Sequence, residues 1–303
     1  MRALKCFVVA AVLAAALVTF PATLGGQSAR TDPALALLQR VNAQLAGSGL
    51  RIAAESIEFF TIGNARPSAR IHQQAFRWVA NDARRLAEGD HITYLVDQSD
   101  GATASGLTSL QTEQAIDSAF ATWSATDALD NLTLVKRADT GADPDIFDAL
   151  VGRKFGRSGN PFLADIVNAG WLPRDFFETA GGPGGGRGIL AFSVTFIFTD
   201  DDGNPTDING DNFLDSALNE VYYNDTFGDR RDDRVNNPWR INQPLPAIDV
   251  ETVALHENGH SLGLGHFGPP PDAVMNPVYA GPRHLPFAAD ESGMSAVWGS
   301  WPK

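Results

Sequence analysis

The sequence predicts an α+β fold, a sheet flanked by helices, and three observations carry that reading. Runs rich in Ile, Val, Phe and Thr at 57–62, 91–96, 132–135, 163–167 and 189–199 have the composition of strands. Between the second and third runs, Ala115, Ile116, Ala119, Phe120 and Trp123 fall on one face at helical spacing, marking a helix over 112–124 that lays an apolar stripe on a sheet. A further helix opens at Asp249, carries Glu251 in its first turn and stops at Gly263. No repeat of roughly 20 to 50 residues is present, which excludes a solenoid.

From the N-terminus, residues 1–29 begin with Arg2 and Lys5, continue with an apolar run from Cys6 to Phe20 and end in Gly25-Gly26-Gln27-Ser28-Ala29. That is the order of a secretory signal peptide, and the run is shorter than the ~20 residues a membrane span needs. Export is therefore expected, with cleavage between 25 and 29 and no stable membrane span afterwards. The 303 residues include 36 acidic and 23 basic side chains, a charge of −13, and one cysteine. The acidic balance argues against nucleic acid as a partner, and the single cysteine excludes a disulfide scaffold or a zinc ribbon. Cleavage would remove Arg2, Lys5 and Cys6 and leave 21 basic against 36 acidic residues, a charge of −15. A secreted chain without disulfides relies on core packing or bound metal, and this one is long enough to fold as a monomer without staples.

Pro33 in a first turn, followed by Leu35, Leu38, Val41 and Leu45, predicts a helix within 31–50. The strand at 91–96 is read as the start of the main domain, which leaves 30–88 as an N-terminal segment of open role. Thr112 is the expected N-cap of the next helix. The Gly-rich stretch 181–188 leads into the long strand at 189–199. Beyond it, Asp200, Asp202, Asn204, Asp207, Asn209, Asp211 and Asp215 recur around Gly203 and Gly210, and oxygen ligands so spaced could wrap Ca²⁺. Leu218 stands where an EF-hand beginning at Asp207 needs its bidentate Glu, so a calcium loop and a solvated acidic turn stay open alternatives.

The chemistry concentrates at His256-Glu257-Asn258-Gly259-His260, followed by Gly263 and His266. Two His residues four apart on a helix stand one above the other, so both imidazoles reach one ion while Glu257 projects beside them. Gly263 can take the left-handed conformation that ends a helix, and the returning chain brings up His266 as a third ligand. Three His ligands leave one tetrahedral position of Zn²⁺ for water, as catalysis requires. One catalytic zinc ion, with Glu257 as general base toward the activated water, is the predicted centre. His72, His91 and His284 stand alone in the sequence and are read as surface or hydrogen-bonded residues.

With those residues in view, the chain resembles the metzincin metallopeptidases, whose HExxHxxGxxH signature precedes a Met-containing turn, here Ala273-Val274-Met275-Asn276-Pro277-Val278-Tyr279. The Met-x-Pro-x-Tyr pattern most resembles the matrixins, the matrix metalloproteinase group. Residues 188–191 resemble the matrixin edge strand that pairs with substrate backbone, 164–166 an inner strand, and 290–299 the final helix. The resemblance spans about 90–303. It implies a metzincin-like catalytic domain over 89–303: a twisted, mostly parallel sheet with a backing helix and an active-site helix in an upper part (89–263), and a small irregular lower part (264–303) ending in a helix. It further implies a secreted zinc endopeptidase acting on protein or peptide substrates. Met275 would form a hydrophobic base under the metal, Pro277 and Tyr279 would wall the pocket for the side chain after the scissile bond, and a substrate strand would lie antiparallel near Leu190 and Ala191.

Departures from the family bear on latency and on metal content. Phe267 follows His266 where matrixins usually place a small hydroxyl residue, and the absence of His between His91 and His256 removes the usual second, structural zinc site. The propeptide cysteine that plugs the zinc in the animal enzymes is missing, since Cys6 belongs to the signal. Two other readings stay open on the sequence: a secreted zinc hydrolase of a non-protein amide, and a calcium-stabilised, non-enzymatic surface module.

Overall fold

The computed structural model describes residues 33–63, 75–85, 89–142, 147, 162–229 and 236–302; the expected signal stretch 1–29 and His72 lie outside the described residues. Thr31–Lys303 forms one compact unit. In chain order its elements are α1 (Pro33–Ala46), β1 (Ile52–Ile62), β2 (Phe76–Arg77), β3 (His91–Val96), α2 (Ser109–Ser124), β4 (Thr133–Lys136), β5 (Ile166–Leu172), α3 (Arg174–Gly181), the short α4 (Gly185–Gly188), β6 (Ile189–Phe198), β7 (Leu214–Asn224), β8 (Trp239–Arg240), β9 (Ile248–Asp249), α5 (Val250–Ser261), β10 (Val278–Tyr279) and α6 (Ala288–Trp298).

The main sheet runs β10-β1-β6-β7-β5-β3-β4, with β2 joining the start of β7. Pairing is parallel from β4 through β3 and β5 to β7, antiparallel at β7/β6 and β6/β1, and parallel again at β1/β10. The α+β reading and the mixed, mostly parallel sheet agree with expectation. On one face, α2 and α5 press Ile116, Phe120, Trp123, Val253 and Leu255 against Trp171 and Tyr223. The Trp123 indole donates to Leu255 O at 2.9 Å and so ties the backing helix to the active-site helix. On the other face, α1 and α3 cover Phe59, Phe192 and Phe196, with Phe147, Phe176 and Phe177 completing the layer.

Several elements differ from the sequence reading, each for a local reason. α2 starts one turn early: Thr108 is the N-cap, accepting from Gln111 N in a capping box, while Thr112 lies inside the helix and donates to Gly101 O at 2.6 Å. The strand expected at 163–167 begins at Ile166: Asp165 O still accepts from Asn219 N at 2.8 Å, but Asp165 N donates to the Thr93 hydroxyl at 3.0 Å instead of to a strand carbonyl, and its buried carboxylate holds Arg85 and Thr93. The periodicity did not reveal β7, since Asp215, Asn219, Glu220 and Asn224 interrupt its apolar pattern. All four are nonetheless buried, and their oxygens find donors: Asn219 Oδ1 accepts from Thr195 Oγ1 at 2.9 Å, and Glu220 accepts from Phe147 N and Tyr222 OH, both at 2.9 Å, while Asn219 Nδ2 has no partner among the described residues. The segment 30–88 supplies β1, which is built into the sheet between β6 and β10.

Candidate metal centre and active site

Helix α5 is delimited by side-chain and backbone chemistry at both ends. Asp249 caps its N-terminus, accepting from Thr252 N at 2.9 Å and from Thr252 Oγ1 at 2.6 Å, as the sequence leads one to expect. At the other end Gly263, with φ of +94°, donates to His260 O while Leu264 N donates to Gly259 O. These two bonds form a Schellman motif, which reverses the chain and turns it toward His266. The reversal also places Leu264 O 2.7 Å from His260 Nδ1.

The three imidazoles converge. The Nε2 atoms of His256, His260 and His266 are mutually 3.1 Å apart. Each Nδ1 has an acceptor: Val274 O at 2.7 Å for His256, Leu264 O at 2.7 Å for His260, and the Glu58 carboxylate at 3.1 Å for His266. With the protons held on Nδ1, three Nε2 lone pairs face one another, an arrangement that is repulsive without a cation between them. Zn–N bonds of about 2.0–2.1 Å put tetrahedral ligand edges near 3.3–3.4 Å, close to the observed triangle. Among the described residues this is the one group of three or more potential ligands whose donor atoms lie within 4.8 Å of one another. The donor set fits a catalytic zinc ion. Burial, and then the neighbouring His260 and His266, hold the His256 imidazole well below its ordinary pKa and so keep it unprotonated.

Glu257 lies beside the triad on the same helix. It is fully buried, and neither carboxylate oxygen has a hydrogen-bond partner among the described residues. Burial, then the nearby Glu58 carboxylate, pushes its pKa well above the ordinary carboxylate range.

The turn after His266 closes the site from below. Met275 is buried, and a Cβ built on Gly259 would come within 2.5 Å of its sulfur, so the thioether packs directly against the helix between two ligands. The turn is held by Asp290, a buried carboxylate on α6 that accepts from Val274 N at 2.8 Å, Met275 N at 3.2 Å and Phe287 N at 2.8 Å. Asp290 thereby positions the carbonyl that orients His256. Tyr279 is buried, with its hydroxyl accepting from Asp249 N at 2.9 Å, and burial raises its pKa to about 12. His284 bonds the Asp249 carboxylate at 2.7 Å, in keeping with its reading as a hydrogen-bonded residue.

Nothing in the sequence marks Glu58, Phe60 or Asp290 as site residues. Glu58 and Phe60 lie almost two hundred residues upstream of the triad and come from β1. The Phe60 ring stacks on His256 with centroids 3.8 Å apart and an interplanar angle of 9°. This placement corrects the expectation that the strand carrying Leu190 and Ala191 is an open edge: β1 pairs along β6, with Phe60 opposite Ala191 and Thr61 opposite Ile189. Pro277 O accepts from Thr61 N at 3.2 Å and from Thr61 Oγ1 at 3.1 Å.

The seven candidate calcium ligands are not gathered around a common centre. Asp211 pairs with Arg77, and Asp215 with Arg84 at 2.6 Å. Asp207 accepts from Asp211 N and Asn212 N, Asp200 accepts from Asp202 N and Asn204 N, and the side chains of Asp202 and Asn209 lie on the exposed surface. Asn131-Leu132-Thr133 and Asn224-Asp225-Thr226 have the Asn-x-Thr form of a glycosylation acceptor; Asn131 is exposed, whereas Asn224 is buried and donates to Ile189 O at 2.7 Å.

No curated protein matches the chain. No described helix is long and apolar enough to cross a membrane. Residues 194–299, which run from the second half of β6 through β7, the three His ligands and the methionine turn, match the Matrixin family; this stretch is a matrixin domain, a metzincin domain carrying the three-His centre of a zinc metalloendopeptidase.

Proposed function

We propose that the protein is a secreted endopeptidase that hydrolyses peptide bonds with Glu257 as general base, its catalytic domain being 89–303 with 264–303 as the lower part. The observation that carries this reading is a buried carboxylate without a hydrogen-bond partner next to three converging Nε2 lone pairs. A purely structural metal site has no use for such a group, whose burial costs stability. When bound, zinc supplies Lewis acidity toward a peptide carbonyl and toward water. Glu257 takes the proton from the attacking water and returns it to the leaving amine, and burial, by raising its pKa, makes it a stronger base toward that water. The carbonyls of Val274 and Leu264 hold the imidazoles in the one tautomer that can ligate, and Met275 keeps the floor of the site dry.

Replacing Glu257 with Ala is expected to leave one zinc per chain by elemental analysis and to lower hydrolysis of an unstructured protein such as casein by at least about 10²-fold. Casein cleavage by this variant at the wild-type rate would refute the assignment.

A further inference from the structure

Between the C-terminal end of α2 and the first turns of α6 lies a groove of about 800 Å³, a volume typical of preformed ligand sites. Ala121, Ala125 and Ala288 line it, so the two helices offer methyl groups and backbone there rather than long side chains. Leu285 also lines it and is 74% exposed, the most of any large apolar side chain among the described residues. A monomer in water gains nothing by holding a leucine out beside an open groove, and such a feature marks a contact surface.

The walls are fixed by the residues that build the active site. Trp123 of α2 is bonded to Leu255 O on α5, and Asp290 of α6 holds the methionine turn. Thr122 Oγ1 donates to His284 O at 3.4 Å, while the His284 ring bonds the Asp249 carboxylate at 2.7 Å. A ligand entering the groove therefore has little to reorganise, which lowers the cost of binding. One short segment, 279–286, carries Tyr279 against Asp249 at its start and Leu285 and Pro286 in the groove at its end.

Charge selects the occupant. Asp127 and Glu291 line the groove, both are exposed, and neither forms an ion pair with a described residue; no Lys or Arg lines it. Two carboxylates beside an exposed leucine repel phosphate, which excludes nucleic acid and anionic membrane surfaces. A second copy of this chain, at a charge of −13, brings the same sign. The complementary partner carries Lys or Arg next to apolar side chains. A groove between two helices takes such a segment as an amphipathic helix, with apolar anchors at i and i+4.

We propose that the groove between α2 and α6 is a second docking site for protein substrates: it holds a basic amphipathic helix, remote from the scissile bond, with leucine-type anchors on Leu285 and Lys or Arg side chains at Asp127 and Glu291. This rests on the peptidase reading above. A substrate with such a segment is held at two places at once, which lowers KM and leaves the chemical step unchanged.

The test uses the zinc-loaded chain and a short reporter peptide, bare or joined through a flexible Gly/Ser linker to a helical probe with Leu at i and i+4 and flanking Lys. The attached probe is expected to lower KM by at least about tenfold with kcat within about twofold, and the gain should shrink as salt is raised. The double variant Asp127→Lys, Glu291→Lys, and separately Leu285→Asp, should lose that gain while cutting the bare reporter at the wild-type rate, which also shows that they fold. A probe with Glu in place of Lys should give no gain. Free probe titrated into the Glu257→Gln chain should shift amide resonances in 121–128 and 285–295. No gain from the Lys probe, an equal gain from the Glu probe, or a gain kept by both variants overturns the proposal. Dimerisation of the wild type that Leu285→Asp abolishes gives the groove to a second copy and also overturns it. If the chain leaves both the bare reporter and casein uncut, the peptidase reading fails and takes the substrate assignment with it. If the bare reporter is cut and the attached probe adds nothing, the docking inference alone fails.

Discussion

Asp290→Ala probes the link between the lower part of the molecule and the metal centre. The Asp290 side chain is 0% exposed and accepts from three backbone N–H groups, those of Val274, Met275 and Phe287. Removing the carboxylate strands three buried donors at about 1–3 kcal/mol each. Partial relaxation and water in the vacated space keep the total below the simple sum, so we expect ~3–5 kcal/mol, a large share of a typical domain's ~5–15 kcal/mol. A second effect follows from geometry. Val274 N is one of the freed donors, and Val274 O is the acceptor that orients His256 at 2.7 Å, so zinc affinity should fall by about 10–100-fold. Urea unfolding of the chelator-treated protein measures the first effect, and competition with a chromogenic zinc chelator measures the second. Asp290→Asn keeps the shape and one acceptor oxygen and should fall between wild type and Ala. A loss under about 1 kcal/mol for Asp290→Ala, with zinc affinity within about twofold of wild type, would refute the reasoning.

Gly259→Ala should lower stability by ~1–3 kcal/mol and weaken zinc binding, because the new Cβ would lie 2.5 Å from Met275 Sδ and 3.1 Å from Trp123 Cζ2; thermal melts of holo and chelated protein check both. Zinc removal by a chelator should lower the melting temperature, since three inward-facing Nε2 lone pairs then lack their cation. In the chelated protein, Glu257→Gln should be more stable than wild type at pH 7, because wild type either buries a charge or must take up a proton there. Glu257 has a folded pKa raised above 4.5, so wild type holds one more proton folded than unfolded above that pH and regains stability as pH falls. The gap between the two should therefore narrow by up to ~1.4 kcal/mol per pH unit toward pH 4.5, and denaturant melts at stepped pH would show a constant gap if this sign is wrong.

The zinc ligands were legible in the sequence because their geometry is local. A helix repeats every 3.6 residues, so His256 and His260 share a face whatever surrounds them, and Gly263 marks the point where the chain can turn back. Asp249 as cap, the methionine turn and the α2 stripe follow from equally short-range rules. Sheet pairing is not local, and that is where tertiary structure decided the outcome. It hid β7 behind buried polar residues that only neighbouring strands and loops satisfy, and it neutralised part of the acidic loop with Arg77 and Arg84 from a distant segment. It also brought Glu58 and Phe60 against the triad along the strand that the sequence had left open. The sequence by itself determined which chemistry this chain can perform, since ligands, base and helix stop lie within eleven residues, His256 to His266. Only the tertiary structure decided what stands beside the metal centre, because β1 reaches it through main-chain hydrogen bonds that leave no signature in side-chain spacing.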